Sequence, residues 1–322
     1  MAAIEAEGLR RTYKTHTGTV RRHVKEIEAV RGIDFEVPEG ELFGLLGPNG
    51  AGKTTTIKML ITLLIPTAGT ARVLGLDVVR DALEVRRRIG YVFGGERGVY
   101  DRLSGYDNLR YFAELYGVPP REQKPRIEGL LKLVGLKGRE HERAEGYSRG
   151  MKQRLHVARG LLHDPSVIFL DEPTIGLDPV GARDVRATIA SLTEAGKTVL
   201  LTTHYMFEAD ALCDRIAVIS RGEIVAEGTP DDLKRRVAAG RVVEVEVYGV
   251  AEEALGRVRE VQGVLAVSVE EREQAQVLVV QTEPELELTH AILGCLDGAD
   301  VGRVSHREPT LEDAYVALVA SE

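Results

Sequence analysis

Leu42-Phe-Gly-Leu-Leu46 runs without a break into Gly47-Pro-Asn-Gly-Ala-Gly-Lys-Thr54, and Thr55-Thr-Ile-Lys-Met-Leu60 follows. The first run is short, apolar and bounded by glycine, the pattern of a strand buried on both faces of a parallel sheet. The last has the spacing of a helix, expected over 53–64. Between them the spacing G-x-x-x-x-G-K-T puts glycines where backbone N–H groups must curl around an anion, at the N-terminus of the helix. Gly47, Pro48, Asn49, Gly50, Ala51, Gly52, Lys53, Thr54 and Thr55 are therefore expected to cradle phosphates. In this pattern the Lys53 ammonium reaches the terminal phosphates and the Thr54 hydroxyl suits Mg²⁺, a hard cation that prefers oxygen.

Working outward, Val167–Leu170 and Thr198–Thr203 repeat the buried-strand pattern, and helix-period segments occupy 106–115, 151–162 and 179–194. Strand then helix, repeated, predicts crossover units and a mostly parallel sheet. Ile4–Leu9 and Ala29–Val37 read as strands of a smaller antiparallel layer, and the basic segment 14–25 between them reads as a long exposed loop. Val167-Ile-Phe-Leu-Asp171-Glu172 ends a strand on two adjacent carboxylates. Neighbours in a strand face opposite ways, so the two are expected to divide their work. Asp171 would hold Mg²⁺ through water while Glu172 faces an attacking water as base or orienter.

The chain has 322 residues and a formal charge of −8, with 43% hydrophobic and 29% charged residues. That length fits two domains. The apolar runs fall short of the roughly 20 residues of a membrane-spanning helix, and no apolar signal core opens the chain, which predicts a cytoplasmic protein. Cys213 and Cys295 are too few for a disulfide framework or a structural zinc site. From residue 241 onward there are 17 acidic and 6 basic side chains, and no lysine follows Lys234. This break predicts domains at 1–236 and 241–322. The acidic second domain argues against nucleic acid as a partner, because such binding needs clustered Lys and Arg. Its rhythm reads strand, helix, two strands, helix, strand and a closing helix, a βαββαβ pattern expected to form a small α+β sandwich.

On these motifs, residues 4–235 resemble the ATP-binding-cassette (ABC) ATPases. The resemblance implies an α/β phosphate-loop ATPase core with a smaller antiparallel β layer and a helical subdomain at about 95–160, joined to the C-terminal α+β domain. It also extends to Tyr147-Ser-Arg-Gly-Met151, which lies 20 residues before the carboxylates. That segment departs from the family's L-S-G-G-Q signature but keeps Ser148 and Gly150, which in the family bind ATP held by the other subunit. Gly176-Leu-Asp-Pro179 matches the loop that contacts the partner ATPase, and His204 stands at the family's γ-phosphate switch histidine. Tyr13 stands where the family stacks a ring on adenine. The resemblance thus implies catalysis by Glu172 and His204 with Lys53, ATP and Mg²⁺ as ligands, and two nucleotide sites shared across a dimer.

One family residue is missing. After Ile89-Gly-Tyr-Val92 a glutamine is usual, whereas here the run is Phe93-Gly-Gly-Glu-Arg97. Two readings stand: Glu96 takes the glutamine's place at Mg²⁺ or water, or it is exposed in a glycine-hinged loop.

Thr203-His-Tyr-Met206, Glu208-Ala-Asp210, Gly228-Thr-Pro230 and Pro309-Thr-Leu-Glu-Asp-Ala-Tyr315 look like the ATPase subunits of drug exporters, including the daunorubicin-resistance group. That branch implies a polytopic permease on a separate chain, a second ATP-binding subunit that is a copy of this one, and a peripheral place on the cytoplasmic face of the membrane. The alternative is a soluble ABC ATPase acting as a mechanochemical switch without a permease. The single phosphate loop and the lack of long heptads or cysteine-rich zinc sites speak against it. A third reading, a switch that binds ATP without hydrolysing it, is opposed by Asp171, Glu172 and His204.

Overall fold

The structure is a computed structural model that describes residues 2–17, 23–94, 98–237, 242–249, 252–272, 275–283, 286–296 and 298–320. The chain divides into two compact units, Met1–Glu227 and Gly228–Glu322.

The first unit is built on a six-stranded sheet of β3 (Leu42–Leu46), β6 (Ile89–Phe93), β7 (Val167–Asp171), β8 (Thr198–Thr203), β9 (Arg215–Ser220) and β10 (Glu223–Gly228), in the order β10-β9-β3-β8-β7-β6. β3, β7 and β8 are buried along their whole length, which explains their unbroken apolar runs. They pair in parallel, with Leu46 beside Thr203 and Asp171 beside Thr202. β6 lies parallel to β7 with Phe93 beside Asp171. All four therefore end at one edge, and the residues that follow them are brought together. Helices α1 (Lys53–Leu60), α2 (Ala82–Arg88), α6 (Pro179–Glu194) and α7 (Met206–Leu212) alternate with the strands. The expected helix over 53–64 stops at Leu60, because Thr62 takes a left-handed backbone with φ 67°.

A second layer consists of β1 (Ala2–Thr17), β2 (His23–Pro38), β4 (Ala68–Val73) and β5 (Leu76–Asp77), in the order β2-β1-β4-β5. The expected loop over 14–25 is corrected at 14–17 and 23–25, where β1 and β2 stay paired from Ala2↔Pro38 out to Thr17↔His23, while 18–22 lie outside the described residues. Lys14 on β1 stands opposite Glu26 on β2 and forms an ion pair with it at 3.0 Å. Such cross-strand pairs are worth a few tenths of a kcal/mol to about 1 kcal/mol each. Ile4, Leu9, Val30 and Ile33 from this layer share a core with Phe43, Leu45, Ile57 and Phe169. Each fully buried large side chain of this kind contributes roughly 1.5–3 kcal/mol.

Helices α3 (Gly105–Leu115), α4 (Pro120–Leu133) and α5 (Arg149–Gly160) pack on one another within the expected 95–160 subdomain. Ser104 opens α3 by accepting from Asp107 N at 3.0 Å, a cap that ties up one otherwise unpaired first-turn amide.

The second unit carries α8 (Pro230–Val237), β11 (Val242–Tyr248), α9 (Glu252–Arg259), β12 (Val264–Arg272), β13 (Ala275–Thr282), α10 (Thr289–Cys295), β14 (Asp300–Arg307) and α11 (Leu311–Ala320). Its antiparallel sheet has the order β12-β13-β11-β14, the split-βαβ arrangement. α9 and α10 cover one face through Leu255, Val258 and Ile292, and α8 packs on α11. The division at Gly228 lies ahead of the charge break near 237–240, because α8 belongs to the second unit. Two motifs that carried the exporter resemblance have a plain local role. Thr229 and Asp232 at the start of α8, like Thr310 and Asp313 at the start of α11, exchange backbone amides as capping boxes. Among the described residues no helix is long and apolar enough to cross a membrane.

Candidate functional site

The loop between β3 and α1 takes its shape from glycines that tolerate no replacement. A Cβ on Gly47 would lie 2.2 Å from the Ile219 carbonyl oxygen. Gly52 has φ 113° and a Cβ there would lie 2.6 Å from the Ala29 oxygen. No acidic residue occupies the first turn of α1, and no side chain caps it. Its amides and the helix dipole are left to act on an anion. Pro48, Asn49, Gly50, Gly52, Lys53, Thr54 and Thr55 line a cavity of about 120 Å³, closed by Ala29 and Glu172. The side chain of Ala51 is buried instead, so that residue offers only its backbone. Lys53 is almost fully buried, and its Nζ donates to the carbonyls of Gly47 at 2.6 Å and Pro48 at 3.1 Å.

Asp171 is buried at the end of β7. Its Oδ1 accepts from Thr202 Oγ1 at 2.6 Å and from Thr54 Oγ1 at 3.1 Å. Thr54 and Asp171 thus form a set of oxygen donors that fits a hard divalent cation completed by phosphate and water. Among the described residues no group of three or more His, Cys, Asp or Glu forms a metal cage.

Strand alternation, the basis for expecting Asp171 and Glu172 on opposite faces, ends one residue too early for that argument. Glu172 takes a left-handed backbone with φ 49°, a conformation that costs a non-glycine residue on the order of 1 kcal/mol. Its amide donates to both Thr202 O at 3.0 Å and Thr202 Oγ1 at 3.1 Å. The turned backbone brings Glu172 Oε1 within 3.3 Å of Lys53 Nζ and 3.3 Å of His204 Nδ1. The His204 contact has ion-pair distance without hydrogen-bond alignment. Its ring lies against Tyr205, centroids 4.1 Å apart. Lys53, Thr54, Asp171, Glu172 and His204 are therefore one cluster.

The remaining expected residues lie apart from that cavity. Ser148 caps α5, accepting from Met151 N at 3.2 Å. At Gly150 a Cβ would lie 3.1 Å from Gly181 Cα, so two glycines let α5 and α6 approach closely. Neither lines the cavity of the phosphate loop. Tyr13 stands opposite Ile27 in the β1–β2 ladder, with the Arg11 guanidinium 4.9 Å from its ring centroid. It too is outside the cavity lining. Glu96 lies outside the described residues. The segment that carries it leaves from beside the carboxylates: Gly94 N donates to Asp171 O at 2.6 Å, and a Cβ on Gly94 would lie 2.3 Å from Glu172 O.

Three residues of this edge were not singled out from sequence. Thr202 bonds both carboxylate-bearing residues, Gln153 Nε2 donates to Phe93 O at 3.3 Å, and Gly181 faces Gly150. Only Thr202 had a sequence signal, its place in the strand that ends at His204.

The family described as ABC transporter matches residues 30–175. The ABC transporter ATP-binding protein NatA of Bacillus subtilis is 44% identical over 209 residues, 65% of this chain and 85% of that one. The daunorubicin resistance ATP-binding protein DrrA3 of Streptomyces coeruleorubidus is 37% identical over 297 residues, 92% of each chain. A dimeric post-hydrolysis structure of the ATP-binding cassette MJ0796 bound to ADP and Pi superposes with a TM-score of 0.61 at 25% identity, covering 70% of this chain and 98% of that one. The chain belongs to the ABC transporter family. Within it, the chain is an ATP-binding and ATP-hydrolysing subunit of an exporter, and the soluble alternative is set aside.

Proposed function

We propose that Glu172 is the general base of ATP hydrolysis, oriented by His204, and that Lys53 holds the terminal phosphates. The observation that carries this reading is the convergence of Lys53 and His204 on one carboxylate oxygen of Glu172, each at 3.3 Å. On nucleotide binding Lys53 exchanges Glu172 for phosphate oxygens, which frees that carboxylate to accept a proton from water in line with the γ-phosphate. Thr54 and Asp171, the latter through water, would hold Mg²⁺, which would supply charge neutralisation at the phosphates. The amides of 47–55 hold the phosphate chain, and Tyr13 stacks on the adenine.

Ser148 and Gly150, at the N-terminus of α5, complete the site of a second copy, so ATP closes a head-to-tail homodimer. Hydrolysis removes the bridging phosphate and the dimer reopens. A polytopic permease on a separate chain receives that motion, and the subunit works as a peripheral protein at the cytoplasmic face of the membrane. The 241–322 region acts as an accessory domain, and Glu96 takes the place of the missing glutamine.

The test is Glu172→Gln in the full chain. Its turnover is expected to fall by about 10²-fold or more while ATP binding survives and an ATP-bound dimer accumulates. Near-normal phosphate release would assign the base elsewhere.

A further inference from the structure

Glu208, on α7, is the most deeply buried carboxylate near the site, at 1% exposure. Neither of its oxygens has an aligned hydrogen-bond partner. A buried carboxylate left in that state costs several kcal/mol when ionised, and native structures rarely retain such a group without a reason. Its surroundings supply one. The hydroxyls of Thr203, beside His204, and of Thr174, two residues after Glu172, face it. So do His204 and the charge of Arg186 on α6, and Cys213 lies beyond the end of α7. Arg186 is no counter-ion, because its guanidinium lies over the Phe207 ring at 5.5 Å and forms no ion pair with Glu208 among the described residues. The strand β3, against which α7 also packs, presents no ionisable group. Burial favours the neutral acid and raises its pKa above the usual carboxylate range.

Resting on the reading of Glu172 and His204 given above, we propose that Glu208, as a neutral acid, is a positioning residue that ties the segment after Glu172 to the one bearing His204. Its O–H donates to one threonine hydroxyl and its carbonyl oxygen accepts from the other, through small side-chain rotations. The base, the loop Gly176-Leu-Asp-Pro179 and the histidine then move as one body when the site closes. Neutrality matters for a second reason. An ionised Glu208 competes with Glu172 for His204 and draws the ring away from the reacting water.

The experiment is steady-state ATPase of the full chain from about pH 6 to about pH 10, with KM for ATP and melting temperature measured beside it. Glu208→Ala is expected to lower kcat about tenfold or more while KM changes less than about twofold. Glu208→Gln keeps a donor and an acceptor but cannot ionise. It is expected to retain at least about half of kcat and to lack the alkaline fall that the proposal predicts for the unmodified chain. The proposal is overturned if Glu208→Ala turns over normally, if Glu208→Gln is as impaired as Glu208→Ala, or if its alkaline limb is unchanged. Where Glu208→Ala fails to fold, the Glu208→Gln profile decides alone. An active Glu172→Gln variant would sink the reading of the base. An inactive one beside a fully active Glu208→Ala would sink only the role of Glu208.

Discussion

Outside the nucleotide cluster, both units bury ionisable side chains and hold them in opposite states. In the first unit burial favours the neutral forms of His156, Glu208 and Cys213. His156 is pushed down to about 3 by burial and by the neighbouring Arg159, whose guanidinium can only donate and so fixes the facing Nε2 as a bare acceptor. Glu208 and Cys213 are pushed up, again chiefly by burial. In the second unit Arg307 and Asp313 are kept charged. Arg307 grips Asp313 through two nitrogens, at 2.5 and 3.0 Å, and reaches Glu244 at 2.8 Å. Burial opposes ionisation of Asp313, yet the Arg307 fork and the Thr310 donors outweigh it and hold the carboxyl below its usual range. The difference separates two uses of buried polarity. Paired charges brace a small unit with little core to spare, whereas lone neutral groups leave a site able to respond to what binds it.

The largest effect tests the brace. Asp313→Ala removes both ends of the Arg307 fork and one half of the capping box of α11. Arg307, whose side chain is 28% exposed, is left with Glu244, the Glu308 carbonyl and partial access to water. The second unit is expected to lose about 3 kcal/mol, the low end of the range for fully buried pairs. Chemical denaturation followed in that unit measures it. Nucleotide affinity of the phosphate loop should be unchanged, and a parallel loss of ATP binding would show that the two units do not keep separate accounts of charge.

The neutral state of His156 makes the opposite kind of prediction, one of pH. The folded chain holds this group below its unfolded value of 6.5, at about 3, so between those values only the unfolded state takes up the proton. The contribution is complete above about pH 6.5 and is lost as pH falls toward 3. By pH 5 the loss is about 2 kcal/mol. His156→Gln, which keeps an acceptor for Arg159, should flatten the stability of the first unit between about pH 7 and about pH 5 by that amount. An unchanged slope would mean that His156 is not held neutral.

What the sequence disclosed follows the same division between pattern and contact. The buried strands β3 and β8 and the helix α6 were legible to the residue, because a parallel sheet enclosed on both faces writes unbroken apolar runs. Alternation did the same for β11 in the second unit. The phosphate loop was legible because its chemistry demands glycines at fixed spacing. The strand pairing of 14–17 with 23–26 was not, since a polar ladder depends on the partner strand and leaves no apolar signal of its own. The turned backbone at Glu172 was hidden for a related reason: it departs from strand alternation at one residue and is held by Thr202, 30 residues away. The burial of Glu208 was equally hidden. In the sequence it stands as one more acid in a short helix, and only the fold encloses it.

Thr202 gives the smallest and most local test, because it is where the first unit treats a carboxylate as the second does, with donors. Its hydroxyl donates to Asp171 at 2.6 Å and accepts from Glu172 N at 3.1 Å. Valine keeps the shape and the strand propensity and removes only the hydroxyl. The Glu172 amide still has the Thr202 carbonyl at 3.0 Å, so the turned backbone should persist. Asp171 loses its shorter donor and keeps Thr54. Thr202→Val is therefore expected to lower ATP turnover about tenfold, the worth of one hydrogen bond to a charged group. The change in stability should stay below about 1 kcal/mol. Thr202→Ser, which restores the hydroxyl, should recover most of the rate. A serine variant as slow as the valine one would assign the loss to packing in β8, and Asp171 would then owe its position to the strand alone.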